Sequence, residues 1–171
     1  MRNALIVIAT LIPIASHADA PNKAGAEFDY FVGTWKCQEK WEKSDISPAY
    51  ESTSTLVAAD NTKGVWVVWS YVQDPSKAVP QPPSGNDMWG YDPDAKTFVR
   101  EKADSFAPGH TTHLTSKGFD GDTIAWEGKV PTPKGGTATF KHSFKKVDAK
   151  TMEGKLFLDG KQFYSSTCKK S

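Results

Sequence analysis

His110 and His113 sit in the run HTTH, the first place where residue types and spacing suggest chemistry. Two imidazoles at i and i+3 can share a metal on a helix, but on a strand those positions point to opposite faces. The surrounding sequence reads as strand, so the pair is expected as one exposed and one half-buried histidine. A metal site borrowing Asp104 from the preceding loop is the alternative, and no metal is assigned. His142 is placed differently, between Phe140 and Phe144 on one face of TATFKHSFKK. It reads as a core histidine bonded to a neighbour or as an imidazole that orients a ligand.

Arg100, in TFVREKA, shares a face with Phe98. If that face points inward, Arg100 is a buried cation that needs an anion. In the other phase Val99 points inward and Arg100 is solvated; the alternation supports both. Glu39 follows Trp35 and Cys37 on one face. It reads as a mouth carboxylate, as a partner for Arg100, or as the point where the strand leaves the core. No nucleophile elbow, P-loop, dinucleotide fingerprint, zinc motif or kinase block is present, so no catalytic residue and no cofactor are assigned.

Residues 1–20, MRNALIVIATLIPIASHADA, have a basic start, an apolar middle and an Ala18-Asp19-Ala20 cleavage pattern. That is the form of a secretory signal cleaved after Ala20, which predicts a secreted or periplasmic protein. The apolar run is short for a bilayer span and Pro13 interrupts it, so the mature chain is expected to carry no membrane span. The net charge of +1 gives no basic patch for nucleic acid. Of the two cysteines, Cys37 and Cys168, export favours a disulfide over two free thiols.

Elements must position these side chains, and nearly all of them read as strands. Ten β-like runs follow one another: Phe31–Glu42, Tyr50–Ala59, Gly64–Val72, Asn86–Tyr91, Thr97–Ala103, Thr111–Lys117, Thr123–Lys129, Thr137–Lys146, Met152–Leu158 and Gln162–Thr167. Val, Thr and aromatic residues dominate them, as half-buried pleated surfaces require. The segment 21–30 is an extension with room for one helical turn, and 31–171 reads as a single domain. The connectors sort by length. DNTKG, DPDAK, FDGD and VDAK are tight and alternate with the longer KSDISP, DPSKAVPQPPSGN, DSFAPGH and VPTPKGG. In an up-and-down meander the two classes fall on opposite ends, and only the short LDGK departs from the rule. The fold class predicted is therefore all-β: an antiparallel up-and-down barrel of about ten strands, with the long loops forming a mouth. Closing the barrel makes the first and last strands neighbours, where a Cys37–Cys168 bond would staple the seam. The run GVWVVWSYV is apolar on both faces, which suggests an additional contact outside the barrel.

The stretches FDYFVGTWKCQ, DMWGYDPDAKTFVREKADSF, GFDGDTIAWEG and FYSSTCKK resemble bacterial secreted, lipocalin-like (calycin-type) domains of unknown function. The resemblance implies a β-barrel of eight to ten strands, often with an internal cavity, and no settled reaction. Nitrobindin-like haem barrels resemble G-T-W-x-G-x-G, whereas this chain has GTWKCQE, so haem is not carried over even though His142 keeps it as a minor option.

The function expected is binding of a small hydrophobic or amphipathic molecule inside the barrel. Trp35, Trp69, Phe98, Trp126, Phe140, His142 and Phe144 are the expected lining, with Arg100 as the polar anchor. That reading asks for a continuous cavity of about 300 Å³ or more opening between the long loops. The first alternative is a packed interaction module that uses Trp66 or Trp69 and the loop Pro75 to Gly85. The second is a small barrel enzyme, an isomerase or hydrolase using His142 or His113, which needs a titratable pair converging in the cavity.

Overall fold

The computed structural model describes residues 27–43, 48–60, 62, 65–105, 109–132 and 135–171. The expected N-terminal signal sequence and cleavage point lie outside them. Eleven strands follow in order: β1 (Gly33–Trp41), β2 (Tyr50–Asp60), β3 (Trp66–Gln73), β4 (Ser84–Asp92), β5 (Thr97–Asp104), β6 (Thr111–Ser116), β7 (Phe119–Asp120), β8 (Thr123–Pro131), β9 (Thr137–Asp148), β10 (Thr151–Leu158) and β11 (Lys161–Lys170). They form one antiparallel meander in which β1 pairs with β11, and a β6–β8 pairing closes it. Ten strands make the barrel, and β7 is a two-residue spur on β8.

The alternation of the sequence carries through to burial. Trp35, Cys37, Glu39 and Trp41 of β1 point in, while Lys36, Gln38 and Lys40 are exposed. Tight turns end the strands where Asp and Gly provide the geometry. Asp92 Oδ1 accepts the backbone N–H groups of Asp94 (2.9 Å) and Ala95 (3.0 Å), and Lys96 follows with φ 52°. The β10–β11 hairpin turns through Asp159 and Gly160, both at positive φ. In the meander the four long connections share an end, as the connector lengths predicted, and this short hairpin joins them there as the one departure from the rule.

The opposite end is closed by the chain before β1. A short 3₁₀ turn, Asp29–Phe31, supplies the expected helical turn, and Phe28 and Phe31 are wholly buried. Phe28 meets Trp89 and Phe98 edge-on at 5.5 Å, and Phe31 meets Trp89 at 5.4 Å. Trp35 Nε1 donates to the Phe31 carbonyl at 2.7 Å and so holds this plug in place. The extension is thus the floor of the barrel, which the alternation pattern had no means of showing.

Cys37 and Cys168 face each other across the β1–β11 ladder and are bonded, with a sequence separation of 131 residues. This contact between first and last strands is a full ladder. The sparse seam is β6–β8, where one residue pair, Thr115 with Glu127, is in register. Gly128 lets these strands approach, since a Cβ there would lie 2.7 Å from the His113 carbonyl.

Candidate functional site

Above the Phe28–Phe31 floor the barrel is hollow. A cavity of about 230 Å³ lies between Trp69, Trp89 and Phe144 below and Trp41, Phe163, Pro131 and Thr112 near the mouth. Leu56, Phe140, Leu156 and Leu158 complete an apolar wall. The volume falls short of the 300 Å³ set by the sequence reading, which restricts a guest to about ten to fifteen non-hydrogen atoms. An outer groove lined by Pro48, Tyr50, Val79 and Pro80 shares Trp41 and Phe163 with the cavity, and so adjoins it at the rim.

Three polar clusters interrupt the apolar wall. In the first, Arg100 is buried on the inward face of β5, which resolves its phase. Its Nε donates to Asp87 Oδ2 at 3.0 Å, and Nη2 forms an ion pair with the same oxygen. Nη1 lies 3.1 Å from His142 Nδ1. A guanidinium has no acceptor, so Nδ1 must offer its lone pair, and a neutral His142 must carry its proton on Nε2. Burial and then the charges of Arg100 and Lys102 hold this imidazole well below its usual pKa, so it stays neutral. The guanidinium also lies 5.6 Å from the Trp89 ring centre and 5.7 Å from that of Phe144.

The second cluster surrounds Glu39. Its Oε2 accepts from Ser52 (2.8 Å), Gln73 Nε2 (3.0 Å) and Trp41 Nε1 (3.3 Å). Its Oε1 accepts from Ser54 (2.6 Å) and Tyr164 (3.2 Å). Glu39 is therefore neither leaving the core nor paired with Arg100; it is a buried carboxylate satisfied by neutral donors. Burial, followed by the charge of Glu39, pushes the Tyr164 hydroxyl well above its usual pKa.

The third is the ion pair of Lys102 with Asp104 in the upper wall. Burial brings the lysine down to about 8, opposed by Asp87 and reinforced by Arg100. Tyr71 stands beside it, with its ring centre 5.7 Å from Nζ, and burial raises its hydroxyl pKa. Among the described residues, Trp69 Nε1, Tyr71 OH, Gln73 Oε1, Asp87 Oδ1, Trp89 Nε1, Trp126 Nε1 and His142 Nε2 are buried without a hydrogen-bond partner. Of these residues all but Gln73 and Trp126 line the cavity.

Of the side chains expected in the lining, Trp69, Arg100, Phe140, His142 and Phe144 border the cavity. Trp35, Phe98 and Trp126 are buried in the core cluster around the floor and are not among its lining residues. Lys102, Asp87, Tyr71 and Trp89 were missed. Asp87, Trp89 and Tyr91 alternate onto one face of NDMWGYD, a signal that was available in the sequence. His113 lies exposed on the outer wall against Glu101. Among the described residues no group of three or more His, Cys, Asp or Glu side chains could hold a metal ion.

A family model described as a protein of unknown function, DUF1579, matches residues 20–162. No curated protein matches the chain. Among solved structures, a redesigned β-barrel is similar over 85% of this chain and 95% of its own, at 9% identity and a TM-score of 0.40.

Proposed function

Because the chain belongs to the DUF1579 family, whose description states no activity, we propose a function from the cavity itself: binding of one small, largely apolar molecule with at least one polar atom. The observation that carries this reading is a largely apolar cavity whose lining residues include five with a buried polar atom that has no partner. Buried polar groups are normally hydrogen-bonded, and leaving one unmet costs about 1–3 kcal/mol. A guest that meets His142 Nε2–H or Tyr71 OH while its apolar part lies against Phe140 and Leu156 satisfies both demands. The proposed setting is outside the cytoplasm. A disulfide is compatible with that, as is the lack, among the described residues, of a helix long and apolar enough to cross a membrane.

Trp69 and Trp89 make binding observable. Titration with aromatic and medium-chain alcohols, acids and aldehydes is expected to change tryptophan emission saturably. Leu156→Trp, which puts an indole into the space, is expected to abolish the change in a folded protein. A wild-type response that does not saturate, or one that survives Leu156→Trp undiminished, counts against an internal site.

A packed interaction module is the second reading. Its specific support is the outer face of β2–β4, where Met88 (44%) is exposed diagonally across from Trp66 and Val57 (44%) and Val72 (56%) are exposed farther along the strands. Trp69 has no part in it, being inside the barrel.

A further inference from the structure

Lys102 is a cationic side chain in the wall of a small apolar cavity, and the binding reading gives it no task. Phe98, Arg100, Lys102 and Asp104 alternate onto the inward face of β5. Asp87 and Trp89 stand opposite Lys102 and Arg100 on β4. Arg100 and Asp87 form one buried ion pair and leave Lys102 with Asp104 as a second, whose side chains are 14% and 8% exposed. Tyr71 on β3 brings an unpartnered hydroxyl to the same wall. An amine at a cavity wall, a carboxylate paired with it and a phenol donor nearby are three groups that together favour imine chemistry.

We propose that Lys102 holds small apolar aldehydes covalently, as a protonated imine whose counter-ion is Asp104. The proposal rests on the cavity-binding reading and names the chemical class of its guest. The ammonium of Lys102 first gives a proton to Asp104. The freed amine then attacks the carbonyl carbon, forming the C–N bond, and the extra proton on nitrogen passes to the former carbonyl oxygen, which accepts a hydrogen bond from the Tyr71 hydroxyl. The carbinolamine that results takes the proton back from Asp104, the C–O bond breaks and water leaves. The sum is one aldehyde plus one ammonium giving one protonated imine plus one water, with no oxidant and no net proton. Asp104 then faces the iminium charge as it faced the ammonium. The lowered pKa of Lys102, about 8, supports this chemistry because the free amine is reached near neutral pH. Burial sets it first, Asp87 on β4 opposes and Arg100 on β5 reinforces the lowering; Asp104 on β5, Tyr71 on β3 and His142 on β9 are the other titratable groups around the amine.

Cinnamaldehyde, with about ten non-hydrogen atoms, suits the cavity and serves as the probe. The protein is incubated with it and sodium cyanoborohydride, and each lysine's reduced adduct is quantified by peptide mass spectrometry. Lys102 is expected to be labelled roughly tenfold or more faster than exposed Lys77 and Lys155 at pH 7.5. Its rate should level off above about pH 8, while that of the exposed lysines keeps rising. Excess cinnamyl alcohol should protect Lys102 alone, and Lys102→Met should bind the alcohol, by tryptophan emission, without gaining a cavity adduct. Labelling of Lys102 no faster than of Lys77 while the alcohol still binds overturns the imine and leaves the binding reading intact. No binding of alcohol or aldehyde overturns both. If Lys102→Met does not fold, the protection experiment on the wild type decides alone.

Discussion

At the scale of single residues, each charged group inside the barrel is met by an arrangement that fixes its protonation or its direction. Glu39 takes five donors, so Glu39→Ala leaves Ser54 and Tyr164 without their acceptor and Gln73 with Ser52 alone in the buried interior. A loss of about 3 kcal/mol or more is expected in urea denaturation. His142 gives a pH signature. Its imidazole stays neutral in the folded protein below the ordinary value, whereas in the unfolded chain it takes a proton as pH falls through about 6.5. The unfolded state then binds more protons, so stability falls as pH is lowered below that point. His142→Gln keeps an acceptor for Arg100 and cannot titrate, so denaturation curves at pH 7.5, 6 and 5 should show a smaller acid-side loss. The sequence placed His142 and Arg100 together only as separate options. Their contact spans strands β5 and β9, and no alternation within one strand encodes it.

At the scale of elements, the ladder that joins the two ends of the chain is covalently held and the ladder that closes the barrel is thin. With the cysteines separated by 131 positions in sequence, replacing both by alanine is expected to remove up to about 4–5 kcal/mol through the freed unfolded chain. Differential scanning calorimetry of the double variant checks this. The β6–β8 seam should open first. Hydrogen exchange is expected to be faster in β6 than in β1, and Gly128→Val, which pushes a side chain at the β6 backbone, should destabilise by about 1–3 kcal/mol. Strand number, the inward face of β1 and the sorting of long and short loops were legible because the β period is two and turn residues are distinctive. The weak seam was not, because β6 and β8 meet through the single registered pair of Thr115 with Glu127, and alternation within a strand does not say how fully it pairs with its neighbour. Nor was the floor, since FDYF before the first strand has no period of its own and gains meaning only under Trp89 and Trp126.

At the scale of the whole molecule, the barrel is packed solid at one end and hollow toward the other. The floor uses Trp35, Phe98 and Trp126, three side chains the sequence assigned to ligand contact. An inward aromatic residue reads the same whether it fills space or borders it, so composition alone could not divide the two groups. Depth along the strand divides them, and depth is fixed by where the N-terminal plug inserts. The central claim is that the hollow end carries a guest. Native mass spectrometry of the protein purified from its own cells, beside Leu156→Trp prepared in the same way, tests it most directly. The account predicts a small molecule that leaves the wild type on collisional activation or after imine reduction stays attached, and that Leu156→Trp lacks. Identical guest-free masses for both proteins would contradict it.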